Sequence, residues 1–261
     1  MAFDLDGVLA DVETELVRQT KILFGAAMTR VLQANARSDQ DAADSAATPD
    51  AETGPPSTAA EPISASAVAE PPADAAPRLV RLRMTVRQER RLWRHVQSID
   101  GFWETLHEIE PGVVARLAAL STERRWEVIF LTRRPETAGA IAQVQTQRWL
   151  QAHGFPLPSV FVVQGSRGRV AESLGLDFVV DDRPENCLDV IVDSKARAVL
   201  VWREDEKKLP VAVRRRLGLG VVKSVDECLG ILSKVDAAGQ ARPSLVDRMI
   251  RRLGFKEPAE I

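Results

Sequence analysis

The chain has 261 residues, 45% of them apolar, and 35 basic against 37 acidic side chains give it a net charge of −2. That is enough apolar material for one sizeable core, while no apolar run approaches the roughly 20 residues a bilayer span needs. The first residues, MAFDLDGVLAD, place acids where a secretory signal would need a cationic and then an apolar stretch. A cytoplasmic protein with no membrane partner is therefore expected, and the widely separated Cys187 and Cys228 read as two reduced thiols.

The opening run Met1-Ala2-Phe3 reads as a strand that ends on Asp4. A buried central strand usually has about five residues, so either the site tolerates a short strand or the natural chain begins upstream. Helical spacing follows over residues 12–32, through Leu16, Val17, Ile22, Leu23 and Val31. Residues 34–77 change character. They are Ala, Pro, Ser, Thr and acids, with Ile63 and Val68 as the larger apolar residues. Such a segment buries too little to offset its ordering entropy and is expected to be a flexible linker. Its eight acids face only Arg37, a charge of −7, which leaves +5 for the remainder. A mildly basic folded part suits an anionic small-molecule substrate. Its bases are too scattered to argue for nucleic acid.

Helical spacing returns over 80–99, with Leu82, Val86, Leu92, Trp93 and Val96. Together with 101–109 it completes a mainly helical insertion, or cap, over 12–33 and 78–109. From Pro111, placed as the first residue of a helix, helices alternate with short β-rich runs. Strands are expected at 127–132, 159–163, 177–181, 198–202 and 219–222, and helices at 136–153, 169–174, 184–193 and 225–235. Ser224 and Glu227 read as the capping box of that last helix. The pattern predicts an α/β fold, a Rossmann-like parallel sheet with helices on both faces, built from 1–11 and 110–235. The tail, 236–261, carries a short amphipathic helix over 244–255 that is expected to pack back on the domain. Nothing in the sequence speaks to oligomeric state.

The chemistry concentrates in Ala2-Phe-Asp-Leu-Asp-Gly-Val-Leu-Ala-Asp11. An apolar strand delivers Asp4, Asp6 follows two residues later, and Gly7 permits a sharp turn. Phosphoryl transfer through an aspartyl phosphate needs this pairing: one carboxylate attacks phosphorus, and a second protonates the leaving oxygen and then deprotonates water. Clustered acids would repel a phosphate, so a hard divalent cation is expected to neutralise them, and magnesium suits all-oxygen ligands. Read alone, Asp-x-Asp-Gly is equally a loop turn. The histidines His95, His107 and His153 fit no metal or triad spacing.

FDLDGVLAD resembles the first motif of the haloacid dehalogenase (HAD) superfamily of hydrolases, and the remaining motifs can be sought in order. The resemblance implies Asp4 as nucleophile, Asp6 as general acid/base, and Thr132, closing Val128-Ile-Phe-Leu-Thr132, as a phosphoryl-oxygen donor. The stretch Leu131-Thr-Arg-Arg-Pro135 resembles the Thr-x-Arg-Pro of many members and adds Arg134 as a substrate or local contact. Phe178-Val-Val-Asp181-Asp182-Arg-Pro matches the acid pair. Magnesium would then sit among Asp4, Asp6, Asp181 and Asp182, with the division of labour in that pair left open. The superfamily's third-motif lysine is missing, since no lysine lies between the second and fourth motifs. Arg167 is expected in its place by spacing, with Arg169 as the alternative.

The insertion after the first motif, Gly101-Phe-Trp-Glu, Pro111-Gly112 and Asp-Asp-Arg-Pro are similar to the 5'(3')-deoxyribonucleotidase group, covering residues 1–33 and about 80–235. That likeness implies Phe102 and Trp103 stacking on a base. Val12 and the acidic linker depart from the group's pattern. Three functions follow as expectations: a magnesium-dependent phosphomonoesterase acting on deoxynucleoside monophosphates, a phosphatase for another small phosphometabolite, or a binding module with weak or no turnover.

Overall fold

The computed structural model describes residues 1–45, 82–210 and 218–239. Among them six strands form one sheet: β1 (Ala2–Asp4), β2 (Ile129–Thr132), β3 (Ser159–Val162), β4 (Phe178–Asp181), β5 (Arg197–Val201) and β6 (Leu219–Val222). Every pairing is parallel and the order is β3-β2-β1-β4-β5-β6. The chain thus has the α/β, Rossmann-like architecture that its alternating pattern predicts.

Because side chains alternate along a strand, every strand except the edge strand β3 feeds two cores. Phe3, Phe130, Val160, Val180, Val199 and Val222 point to one face. There they meet α4 (Val113–Arg124), α5 (Ala142–Ala152) and α8 (Val225–Gly239). Ala2, Leu131, Val179, Ala198, Leu200 and Leu219 point to the other. There they meet α6 (Arg167–Ser173) and α7 (Pro184–Asp193). Strands buried on both faces explain why the sequence shows continuous apolar runs there rather than alternation.

The insertion comprises α1 (Val12–Phe24), α2 (Ala26–Ser45), α3 (Val86–Gln97) and a 3-10 turn, Phe102–Glu104. Its apolar side chains (Leu16, Leu92, Val96, Phe102, Trp103) belong to the same cluster as Phe3 and Phe130. The cap and the sheet therefore share one core.

Several boundaries differ from the sequence reading, each for a local reason. The helix expected over 12–32 is two helices, because Gly25 takes φ 83° and its N–H turns back to the Lys21 carbonyl. α2 runs to Ser45, so the first part of the expected linker is helical, while 46–77 and the tail helix over 244–255 lie outside the described residues. α3 begins at Val86 rather than 80 because Thr85 and Gln88 form a capping box. Pro111 is not the first helical residue, since left-handed Gly112 (φ 81°) occupies the N-cap of α4. The segment before α5 stays irregular, held by the Gln145 amide on the Ala138 and Ala140 carbonyls. Ser224 does accept from the Glu227 N–H at 3.0 Å, and Glu227 reaches back to Lys223 N–H at 2.8 Å. Among the described residues, no helix is long and apolar enough to cross a membrane. Cys187 and Cys228 are both buried and unbonded.

Candidate active site

The sheet order reverses at β1, which lies between β2 and β4. Parallel α/β sheets leave a crevice beyond the carboxyl ends of strands at such a point. Asp4 ends β1, Thr132 ends β2 and Asp181 ends β4, so register alone collects three of the expected residues. Asp4 faces an open cleft of about 820 Å³, lined also by Asp6, Arg167 and Asp182, while Thr132 and Asp181 lie buried behind that lining.

Asp4 lies 7% exposed at the base of this cleft. The Arg167 Nη2 donates to its Oδ1 at 2.6 Å, and the Nε lies 3.9 Å from Asp181 Oδ2. Arg167 opens α6, whose N-cap Ser166 accepts from Arg169 N–H at 3.3 Å. That cap points Arg167 inward and Arg169 into solvent, which decides between the two arginines. Arg167 is 1% exposed, and among the described residues its Nε and Nη1 have no hydrogen-bond partner. Burial and Asp181 push the Asp4 carboxyl well above the usual carboxylate range, against the pull of Arg167.

Asp6 is held differently. Arg134 grips it as a fork, with Nη2 to Oδ1 at 2.7 Å and Nε to the two oxygens at 3.0 and 3.1 Å. Thr132 donates to Asp6 Oδ2 at 3.3 Å. Arg134 is itself 1% exposed, with its Nη1 on Thr146 and its guanidinium 4.8 Å from the Trp103 ring centre. Of the two roles expected for Arg134, substrate contact or local contact, the structure shows the local one, a grip on Asp6.

Phe102 and Trp103 also depart from expectation. Both are fully buried, packed edge to face at 4.9 Å, and the Trp103 indole N–H donates to the Pro135 carbonyl at 3.0 Å. Neither reaches the cleft, so neither stacks on a substrate there. The Trp103 ring, backed by Phe102, and the Trp149 ring flank the Arg134 guanidinium.

The acid pair divides cleanly. Asp181 accepts from Asn186 Nδ2 at 3.0 and 2.9 Å and from the Arg183 N–H at 2.8 Å. Burial still raises its carboxyl above the ordinary value. Asp182 lines the cleft instead, against Gly7. A Cβ on Gly7 would lie 2.0 Å from Asp182 Oδ2, and Gly7 takes φ 88°, so both space and backbone demand glycine. Asp182 Oδ1 is buried without a donor, and burial followed by the Asp181 charge pushes its carboxyl up to about 8.

These facts test the expected magnesium. A buried carboxylate oxygen beside Gly7 with no donor among the described residues, and two carboxyls raised first by burial and then by the Asp181 charge, fit a hard cation at Asp4 and Asp182. Of the acid pair, Asp181 is held by Asn186 and the Arg183 N–H, which leaves Asp182 as the member facing the cleft, while Asp6 lines the cleft in the grip of Arg134. Among the described residues no three acidic, imidazole or thiol side chains are already drawn together as a metal shell.

Four further participants were not foreseen. Asn186 braces Asp181 from one turn into α7, a position the Asp-Asp-Arg-Pro-Glu-Asn run could have suggested. Arg133 and Arg183 line the cleft, and burial together with Arg167 and Arg183 loosens the Arg133 proton. Three guanidiniums thus share one corner, an environment that favours an anion. Arg203 donates to the Gly7 and Val8 carbonyls at 2.6 and 3.1 Å and to Glu110 at 2.7 Å. Glu110 in turn accepts the Val225 and Asp226 N–H groups at the start of α8. No pattern near Arg203 signals this clamp on the Asp6-Gly7 turn. No protein-family model matches the chain, and no curated protein matches it.

Proposed function

We propose that the chain is a magnesium-dependent phosphomonoester hydrolase of the HAD-like superfamily, with Asp4 as nucleophile and Asp6 as general acid/base. The observation that carries this reading is Arg167, buried at 2.6 Å from Asp4 with two donor atoms that make no hydrogen bond among the described residues. A cation so placed offsets charge on the nucleophile and leaves N–H groups for phosphoryl oxygens. The nearby Arg133 and Arg183 support an anionic substrate.

In this mechanism an Asp4 oxygen attacks phosphorus as the ester P–O bond breaks, and Asp6 gives its proton to the leaving oxygen. Asp6 then takes a proton from water, which attacks the aspartyl phosphate and releases inorganic phosphate and free Asp4. Bound at Asp4 and Asp182, magnesium would neutralise charge and favour the ionised nucleophile. The Arg134 fork orients Asp6, and proton transfer requires one Asp6 oxygen to turn from the guanidinium to the leaving group. Deoxynucleoside monophosphates are the proposed substrates, and a cytoplasmic location belongs to the same proposal, supported by two unpaired buried thiols.

Hydrolysis of a panel of phosphomonoesters, with and without magnesium, tests the reading. Wild type should turn over only with the metal, and Asp4→Asn should lose at least about 1,000-fold in kcat. Activity that survives in Asp4→Asn removes Asp4 as nucleophile. The fork on Asp6 also favours a second reading, a phosphate-binding module in which the acid/base group stays occupied. Calorimetric binding of phosphate by a wild-type protein that hydrolyses no ester would select it.

A further inference from the structure

With Phe102 and Trp103 enclosed, the aromatic residue that lines the cleft among the described residues is Trp202, one residue past β5. Its backbone N–H donates to the Val222 carbonyl at 2.7 Å, which anchors it to β6. Its indole N–H donates to the Asp205 carbonyl at 3.0 Å. Asp205 also accepts the Lys208 N–H on the same carbonyl and the Lys207 N–H on its carboxylate, so the 3-10 turn Glu206–Lys208 braces the ring. One side of the ring packs on the Leu200 and Leu209 cluster. Trp202 is half-buried, it lines the cleft, and its one side-chain polar group is already bonded, so it offers the cleft an apolar aromatic side chain held by its own hydrogen bonds. Val12, Ile109 and Pro210 are further apolar residues of the same lining.

We propose that Trp202 is the platform for the leaving group, and that the cleft selects phosphomonoesters whose leaving group carries a planar ring, a nucleobase above all. The proposal rests on the phosphohydrolase reading for its chemistry and on Trp202 alone for its selectivity. A ring fixed by packing and hydrogen bonds loses little freedom on binding, so stacking contributes nearly in full. Base–aromatic stacking is strong enough for a tenfold or larger effect and tolerates any base.

The experiment compares thymidine monophosphate with glycerol phosphate on wild type, Trp202→Leu and Trp202→Phe. The ratio of kcat/KM for the two esters should fall about tenfold in Trp202→Leu, chiefly through KM for the nucleotide, and stay within about threefold of wild type in Trp202→Phe. A second measurement needs no turnover. In an Asp4→Asn background, thymidine monophosphate should quench tryptophan emission, and Trp202→Phe should abolish the quench. Quenching that depends on Trp202 without turnover of either ester would remove the hydrolase reading and leave the platform standing. Turnover of both esters with an unchanged ratio in Trp202→Leu would remove the platform and leave the hydrolase. Quenching that persists in Trp202→Phe would overturn the platform, and neither turnover nor quenching in wild type would overturn both.

Discussion

Arg134 and Asp6 are a buried pair, with side chains 0% and 10% exposed and three contacts of 2.7–3.1 Å. Arg134→Met removes the fork and the Thr146 bond, and leaves the Asp6 carboxylate in a site shaped for a partner. Breaking such a pair from one side costs about 3–5 kcal/mol, because the remaining charge keeps its desolvation penalty. Loss of the contact with the Trp103 face adds about 1 kcal/mol. Asp6→Asn leaves a guanidinium buried without a counter-charge and should cost about 3 kcal/mol. In the double variant neither charge remains, so its cost should fall short of the summed single costs by at least about 2 kcal/mol. Urea denaturation of the four proteins at pH 7 measures the cycle. Single costs of this size fit within a domain stability of about 5–15 kcal/mol. If the two substitutions add to within about 0.5 kcal/mol, the pair is not coupled and the positioning role of Arg134 fails.

Two other outcomes test the acid pair and the third-motif cation. Asp182 holds its proton up to about 8 in the folded chain against about 3.9 unfolded. The native state therefore binds more protons over that window, and its stability falls as pH rises from about 4 to about 8. Asp182→Asn should flatten the decline and, in EDTA at pH 7, exceed wild type by about 2 kcal/mol after allowance for partial solvent access. Parallel urea midpoints for the two proteins across that range would refute it. Added magnesium should raise the wild-type midpoint more at pH 8 than at pH 6, and should lose this effect in Asp182→Asn. Arg167→Lys keeps charge without forked donors and should lower kcat/KM about tenfold, Arg167→Met about 100-fold or more, and solvent-facing Arg169→Met little. Equal losses at 167 and 169 would undo the assignment.

The sheet was legible because buried parallel strands leave short β-branched runs, such as Phe178-Val-Val-Asp181, that no surface element would carry. Asp4, Thr132 and Asp181 were legible because each closes such a run, and strand order then brings them together. Legibility stopped where a side chain's direction depends on distant partners. Phe102 and Trp103 look alike in sequence whether they stack on a base or wall in a guanidinium, and only Arg134, about thirty residues on, decides it. The choice between Asp181 and Asp182 hangs on Asn186 and on the absent Cβ of Gly7. Arg167 prevailed over Arg169 through Ser166, a one-residue cap that sets the phase of α6. Trp202 directly follows an apolar run, as many core residues do, and its neighbours in sequence give no sign that it lines a cleft.

The shared core of insertion and sheet bears on how the reaction must run. Leu16, Leu92 and Val96 are fully buried in the same cluster as Phe3 and Phe130. Lifting the insertion as a lid would expose them, at about 25 cal/mol for every square ångström of apolar surface. A rigid roof cannot spend substrate binding energy on closing over the site. The aspartyl phosphate would then form within reach of bulk water, with no closed compartment to reserve it for another acceptor. On the proposed chemistry such a site would hand its phosphoryl group to solvent, and an added alcohol should compete poorly for it.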